Sequence, residues 1–215
     1  MNRCPQCGDR FERLGQHFAV GSCDRPELSD RQRAIVEYLI LRGANVRDDG
    51  AKSRLAVFST ERARLELVAD ALGWLANSPR CHVEATDPDS SDMWAFTTVP
   101  HPSMAYDGPT DVARLRPLTL RLLVSERATF VGSLFGSLHV DLRGFDVDGD
   151  HLRTLLRREG VATVEYDGDG YAEDTHTARY HWHDDVVVVP HYEAVDLLES
   201  VGLSVADVAD PLELG

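Results

Sequence analysis

The sequence predicts an α+β protein, with a small metal-bound finger followed by two halves that share one order of elements. Three observations lead there. Cysteine and histidine cluster in the first 23 residues at metal-ligand spacing. Helical and strand periodicities then alternate twice in the same order. The dipeptide Pro-His recurs at matching points, as Pro100-His101 and Pro190-His191.

The finger comes first. Cys4, Cys7, His17 and Cys23 are spaced C-x2-C-x9-H-x5-C. A C-x2-C pair on a tight turn, then a histidine and a fourth ligand, suits one tetrahedral zinc ion. Pro5 and Gly8 flank the pair as turn residues. Phe11 and Leu14 supply the apolar contacts available to so small a unit. About 25 residues cannot build a stable core alone, so the metal is expected to provide most of the folding energy. Four protein ligands fill the set, which makes the zinc structural. Cys81 stands apart and reads as a core residue on a strand.

A short linker, 24–28, leads into the first half. Ser29 reads as an N-cap with Gln32 at the capping-box position. A helix is predicted over 30–42 and Gly43 ends it. Asp48 and Asp49 fall on the loop that follows. Residues 54–58 alternate enough to form a strand. Residues 61–76 have helical period, with Leu65, Val68, Ala69 and Leu72 on one face. Residues 80–85 and 94–99 read as strands around a polar loop.

The second half repeats this order. A helix is predicted over 118–128 and strands within 130–142. A helix over 150–159 is capped by Asp148 or Asp150 and closed by Gly160. Residues 161–166 and 179–189 read as a hairpin around an acidic loop, and a helix over 193–201 ends at Gly202. Such a duplication implies a pseudo-two-fold molecule. The expected division is 1–28 for the finger, 29–110 for the first repeat and 111–215 for the second. Asp146, Asp148 and Asp150 look like the start of a calcium loop, but position twelve is Arg157. Acids favoured at a helix N-terminus account for them better. His181 and His183 share one strand face and could bind a metal, but no cysteine lies close in sequence, and a polar face turned to DNA accounts for them better.

Composition narrows the class. Asp and Glu total 36 against 22 Lys and Arg, for a net charge of −14. Lys52 is the single lysine. Hydrated carboxylates with almost no lysine suit a salty, halophilic cytoplasm. The chain has no run of 18 apolar residues, so no membrane span is expected. No signal peptide is expected either, which places the protein in the cytoplasm with its thiols reduced. No glycine-rich phosphate loop or G-x-S-x-G elbow is present in the sequence. Acidity argues against nucleic acid. In molar salt, however, the Debye length is about 3 Å, and arginine, the better phosphate ligand, is retained.

A family resemblance rests on particular phrases. The C-P-x-C-G finger with its later His and Cys is followed by a helix reading I-V-E-Y-L-I-L-R-G-A-N-V. Phe58-Ser-Thr precedes a helix ending Leu72-Gly73, and Thr97-Thr-Val-Pro-His-Pro102 follows. Together these resemble the LAGLIDADG homing endonucleases, in the zinc-finger-headed form of halophilic archaea and their viruses. The resemblance implies two pseudo-symmetric α-β-β-α-β-β-α repeats in one monomer, with saddle-shaped sheets over the major groove of double-stranded DNA. It also implies an acid at the end of each motif helix, holding Mg²⁺ for phosphodiester hydrolysis.

The sequence departs from that pattern at the acids. The first helix ends Leu41-Arg42-Gly43-Ala44-Asn45, without one. In the second, Glu126 stands at the acid position, followed by arginine where glycine is usual. The expectation is therefore a DNA-binding protein with weak or no nuclease activity. One alternative is a working Mg²⁺-dependent endonuclease using Glu126 with Asp48 or Asp49. Another is a protein-interaction module. Residues expected to face DNA are Lys52, Arg54, Arg80 and His82, and in the second half Arg143, Arg179 and His181.

Overall fold

A computed structural model of the chain describes residues 2–21, 23–48, 52–87, 89–104, 115–131, 136–145, 147, 149–161, 163 and 186–208. The architecture is α+β with antiparallel sheets. The chain forms two compact units, Met1–Ile40 with Ala44–Asp111, and Leu41–Gly43 with Val112–Gly215. No described helix is long and apolar enough to cross a membrane.

The first unit opens with the finger. Strands β1 (Asn2–Arg3) and β2 (Arg10–Phe11) pair antiparallel and helix α1 (Leu14–Ala19) follows. Helix α2 (Asp30–Leu41) begins with the predicted capping box. The Gln32 amide donates to Ser29 Oγ (3.2 Å), and Gln32 Oε1 accepts from the Ser29 amide (3.0 Å). Gly43, at φ 83°, supplies the left-handed turn that lets the Ala44 amide reach the Leu39 carbonyl (2.9 Å).

Strands β3 (Asn45–Asp48), β4 (Ser53–Ser59), β5 (Arg80–Val83) and β6 (Met93–Thr97) form one sheet in the order β3-β4-β6-β5. Helix α3 (Arg62–Leu72) and a 3-10 turn (Gly73–Leu75) lie between β4 and β5. Helix α3 packs on β4 and β6 through buried Leu65, Ala69 and Leu72. Leu55 and Phe96 are buried in the same core. Strand β3 corrects the expected loop, and Asp48 ends this strand. Asn-Val-Arg-Asp has one apolar residue, too few to signal an edge strand held mainly by backbone pairing.

The second unit holds α4 (Pro117–Arg127), β7 (Ala128–Val131), β8 (Ser137–Asp141), α5 (Gly149–Arg158), β9 (Val186–Val189), α6 (His191–Ser200) and α7 (Val205–Val208). Its sheet runs β7-β8-β9, antiparallel throughout. Val187, Val188 and Val189 are buried; α5 packs on β9, and α6 on β8. Helix α7 has no counterpart among the predicted elements. The predicted strand over 161–166 and the start of that over 179–189 lie largely outside the described residues. So do Asp49, Asp146, Asp148, Arg179, His181 and His183. In both units a helix, two hairpin strands and a helix precede the strand that pairs with the second hairpin strand.

Candidate metal centre and basic cleft

The finger brings its four ligands together by local backbone chemistry. The Cys4 amide donates to the Asp9 carbonyl (2.8 Å), and the Gly8 amide to the Cys4 carbonyl (3.0 Å). This closes a tight turn, with Gly8 at φ 79°. Helix α1 carries His17 back over the turn, its ring stacked on Phe11 at 3.9 Å. The ligand atoms of Cys4, Cys7, His17 and Cys23 all lie within 4.8 Å of one another. Cys7 Sγ and His17 Nε2 are 3.8 Å apart. Three thiols and an imidazole at these separations could hold one metal ion.

The thiols show why a cation belongs there. Burial pushes the Cys4 thiol up, but the amides of Cys7 and Gln6, then the side chains of Cys7 and His17, outweigh it and bring it to about 6. Cys23 goes the other way, to about 11, through burial and then the Cys4 and Cys7 sulfurs. Three thiolates in one site repel; a dication relieves that repulsion and holds all three deprotonated. Among the described residues no other group of three or more His, Cys, Asp or Glu is gathered for a metal.

The finger is packed on the sheet. Phe18 meets Trp74 edge to face at 5.7 Å. A Cβ on Gly15 would lie 3.4 Å from both Pro100 Cδ and Val99 Cγ1, so α1 crosses the end of β6 at close range. The linker is fixed as well. His101 Nε2 donates to the Pro26 carbonyl (3.0 Å), the His101 Nδ1 accepts from the Ser103 amide (3.0 Å), and Leu28 is buried. Two opposite roles for the ring nitrogens require a neutral imidazole, and burial lowers its pKa accordingly. The first Pro-His pair is thus a clasp on the linker.

Between finger and sheet runs a cleft of about 1090 Å³. Arg13 and Arg25 line it from the finger and linker, and Lys52, Arg54 and Arg80 from the sheet side, with His82. Glu12 is the one acidic residue in the lining. With the described residues these five fixed cations form no ion pair. Burial also lowers the pKa of Arg25, and its Nε is buried without a hydrogen-bond partner. Register sets Arg54 directly opposite Arg47 on β3. Like charges facing each other across a strand pair are unfavourable unless an anion comes between them.

Four sequence-predicted residues, Lys52, Arg54, Arg80 and His82, are therefore gathered in one cleft. Arg13, Arg25 and Arg47 were not singled out by the sequence. Arg13 and Arg25 reach the cleft only through finger packing, and Arg47 sits on the unrecognised strand. Cys81 requires a correction, since it is exposed and lines the cleft. Strand β5 is a sheet edge whose four residues are all exposed. Partial desolvation, then the charges of Asp92 and Glu84, push the Cys81 thiol up.

In the second unit Arg143 Nε donates to both Asp141 oxygens, at 3.0 and 2.9 Å. Its side chain holds Asp141 well below the usual carboxylate range. Glu126 pairs with Arg42, Oε2 to Nη1 at 3.5 Å. No family model matches the chain, and no curated protein matches its sequence.

Proposed function

We propose that this is a DNA-binding protein with a structural zinc finger, related in design to the LAGLIDADG homing endonucleases and weak or inactive as a nuclease. The observation that carries the reading is the cleft. A chain with 36 acids against 22 bases has gathered five cations and one acid around a single concavity. Cations outnumber acid five to one where a polyanion would lie, and arginine supplies planar donors for phosphate. The shared order of elements in the two units supports the resemblance to a duplicated fold.

Zinc is the metal that the finger's donor set suits: thiolates and imidazole in a four-ligand site. Its contribution is to hold the finger folded. Cys4, Cys7, His17 and Cys23 leave no protein ligand position open for substrate.

The pairing of Glu126 with Arg42 supports weak or absent cleavage. A Mg²⁺ ion recruited by Glu126 would have a guanidinium beside it, and cation repulsion opposes that.

The test is fluorescence anisotropy with a labelled DNA duplex carrying a single-stranded tail, across a salt series. Binding should weaken as salt rises, with log K against log salt falling at a slope of about −3 to −5 if all five cations contact phosphate. Charge reversal in Arg54→Glu/Arg80→Glu should cost at least tenfold in affinity. A signal indifferent to both salt and charge reversal would refute the reading. With a plasmid and Mg²⁺, rapid site-specific cleavage that Glu126→Ala abolishes would overturn the weak-nuclease part alone.

A further inference from the structure

The basic cleft has an aromatic edge. Phe58 pairs in register with Ala95, which in turn pairs with Arg80, so the three share one face of the sheet. That face also carries Arg54, Ala56 and Thr97 by alternation. The register shifts between Cys81 and Val83, and such a bulge re-aims a side chain. The His82 ring, which lines the cleft, lies 5.2 Å from the Phe58 ring in a T-shaped arrangement. Phe58 is 41% exposed. Phe58 does not line the cleft itself; its ring, part-exposed and met edge-on by His82, lies beside the lining residues Arg54, Arg80 and His82 on a sheet face with small neighbours.

The size of the cleft bears on what enters it. About 1090 Å³ lies just above the roughly 300–1,000 Å³ that holds a small organic ligand. A duplex receives protein elements into its own grooves, the major one about 12 Å wide. It does not enter a concavity of this kind. A single strand does, with its phosphates on cations and its bases stacked on aromatic side chains.

We propose that the cleft holds an unpaired DNA strand, its phosphates on Arg13, Arg25, Arg54 and Arg80, with a base stacked on Phe58 beside His82. This inference rests on the DNA-binding reading and narrows it to DNA that offers an unpaired segment.

The experiment compares three labelled DNAs of one sequence by anisotropy: a single strand, a blunt duplex and the tailed duplex. The single strand and the tailed duplex should bind at least tenfold more tightly than the blunt duplex. Phe58→Ala should weaken binding of the tailed duplex about tenfold and leave the blunt duplex unchanged. Phe58→Leu keeps the apolar bulk without the ring and should behave as Phe58→Ala does. A 2-aminopurine placed in the tail should be quenched on binding to the parent protein and not to Phe58→Leu. Blunt duplex bound as tightly as tailed, or Phe58 variants without effect, overturns the inference while DNA binding stands. Absence of binding to all three DNAs overturns the reading beneath it as well.

Discussion

Gln32 does two jobs that can be separated by substitution. It closes the capping box with Ser29, and its Nε2 donates to the buried Leu72 carbonyl at the end of α3 (2.7 Å). Ser29→Ala loses only the cap and should cost about 1 kcal/mol. Gln32→Ala loses the cap and leaves a buried carbonyl without that donor, so about 2 kcal/mol is expected; urea unfolding of the two variants measures the difference. His139, buried on β8 with its Nε2 2.8 Å from Ser137 Oγ, sets a pH dependence. Burial pushes its pKa down to about 4. The unfolded imidazole titrates near 6.5, so between those values the unfolded chain binds a proton that the folded chain does not. Stability from this group is complete above about pH 6.5 and is lost as pH falls toward 4, by up to about 3 kcal/mol. His139→Gln removes that component, and its stability should fall less steeply than the parent's between pH 6.5 and 4.5. Parallel curves would show that His139 is not the source.

At the scale of elements, the crossing of α1 over the end of β6 decides whether the cleft has a wall. The contact distances at Gly15 leave room for a methyl group and no more. Gly15→Ala should be tolerated, helped by its better helix propensity. Gly15→Leu should push α1 away from Val99 and Pro100 while the four ligands, all within the finger, still hold zinc. The expected result is one zinc per chain in both variants, with affinity for tailed DNA reduced at least tenfold only in Gly15→Leu. Equal affinities would mean that the wall contributes nothing to binding.

For the whole molecule, the expectation is that the finger depends on a metal held by Cys4, Cys7, His17 and Cys23 and the rest of the chain on its own cores. Stripping zinc with a chelator should unfold the finger and release Phe18 from Trp74. Tryptophan emission should therefore change while most helical circular dichroism is retained, because α2 to α7 do not include a ligand. Binding of tailed DNA should fall with the metal and return on adding zinc. A chelated protein with unchanged emission would show that the finger stays docked without its ion.

Local chemistry made much of this legible in the sequence alone. The ligand spacing, the Ser29–Gln32 box, the glycine at the end of α2 and most helices and strands of the described residues follow from neighbours within a few positions. What the tertiary structure decided involves residues far apart in the chain. Strand β3 carries too little periodicity to declare itself and exists through its pairing with β4. Cysteine as a residue type favours the core, yet Cys81 is exposed because its strand takes an edge of the sheet. The sequence alone placed four basic residues on strands or beside them. Only packing of the finger onto the sheet brings Arg13 and Arg25 opposite them, and only register puts Phe58 on the same face. Charge convergence of this kind is a property of folded geometry, and composition, which here is strongly acidic, points the other way.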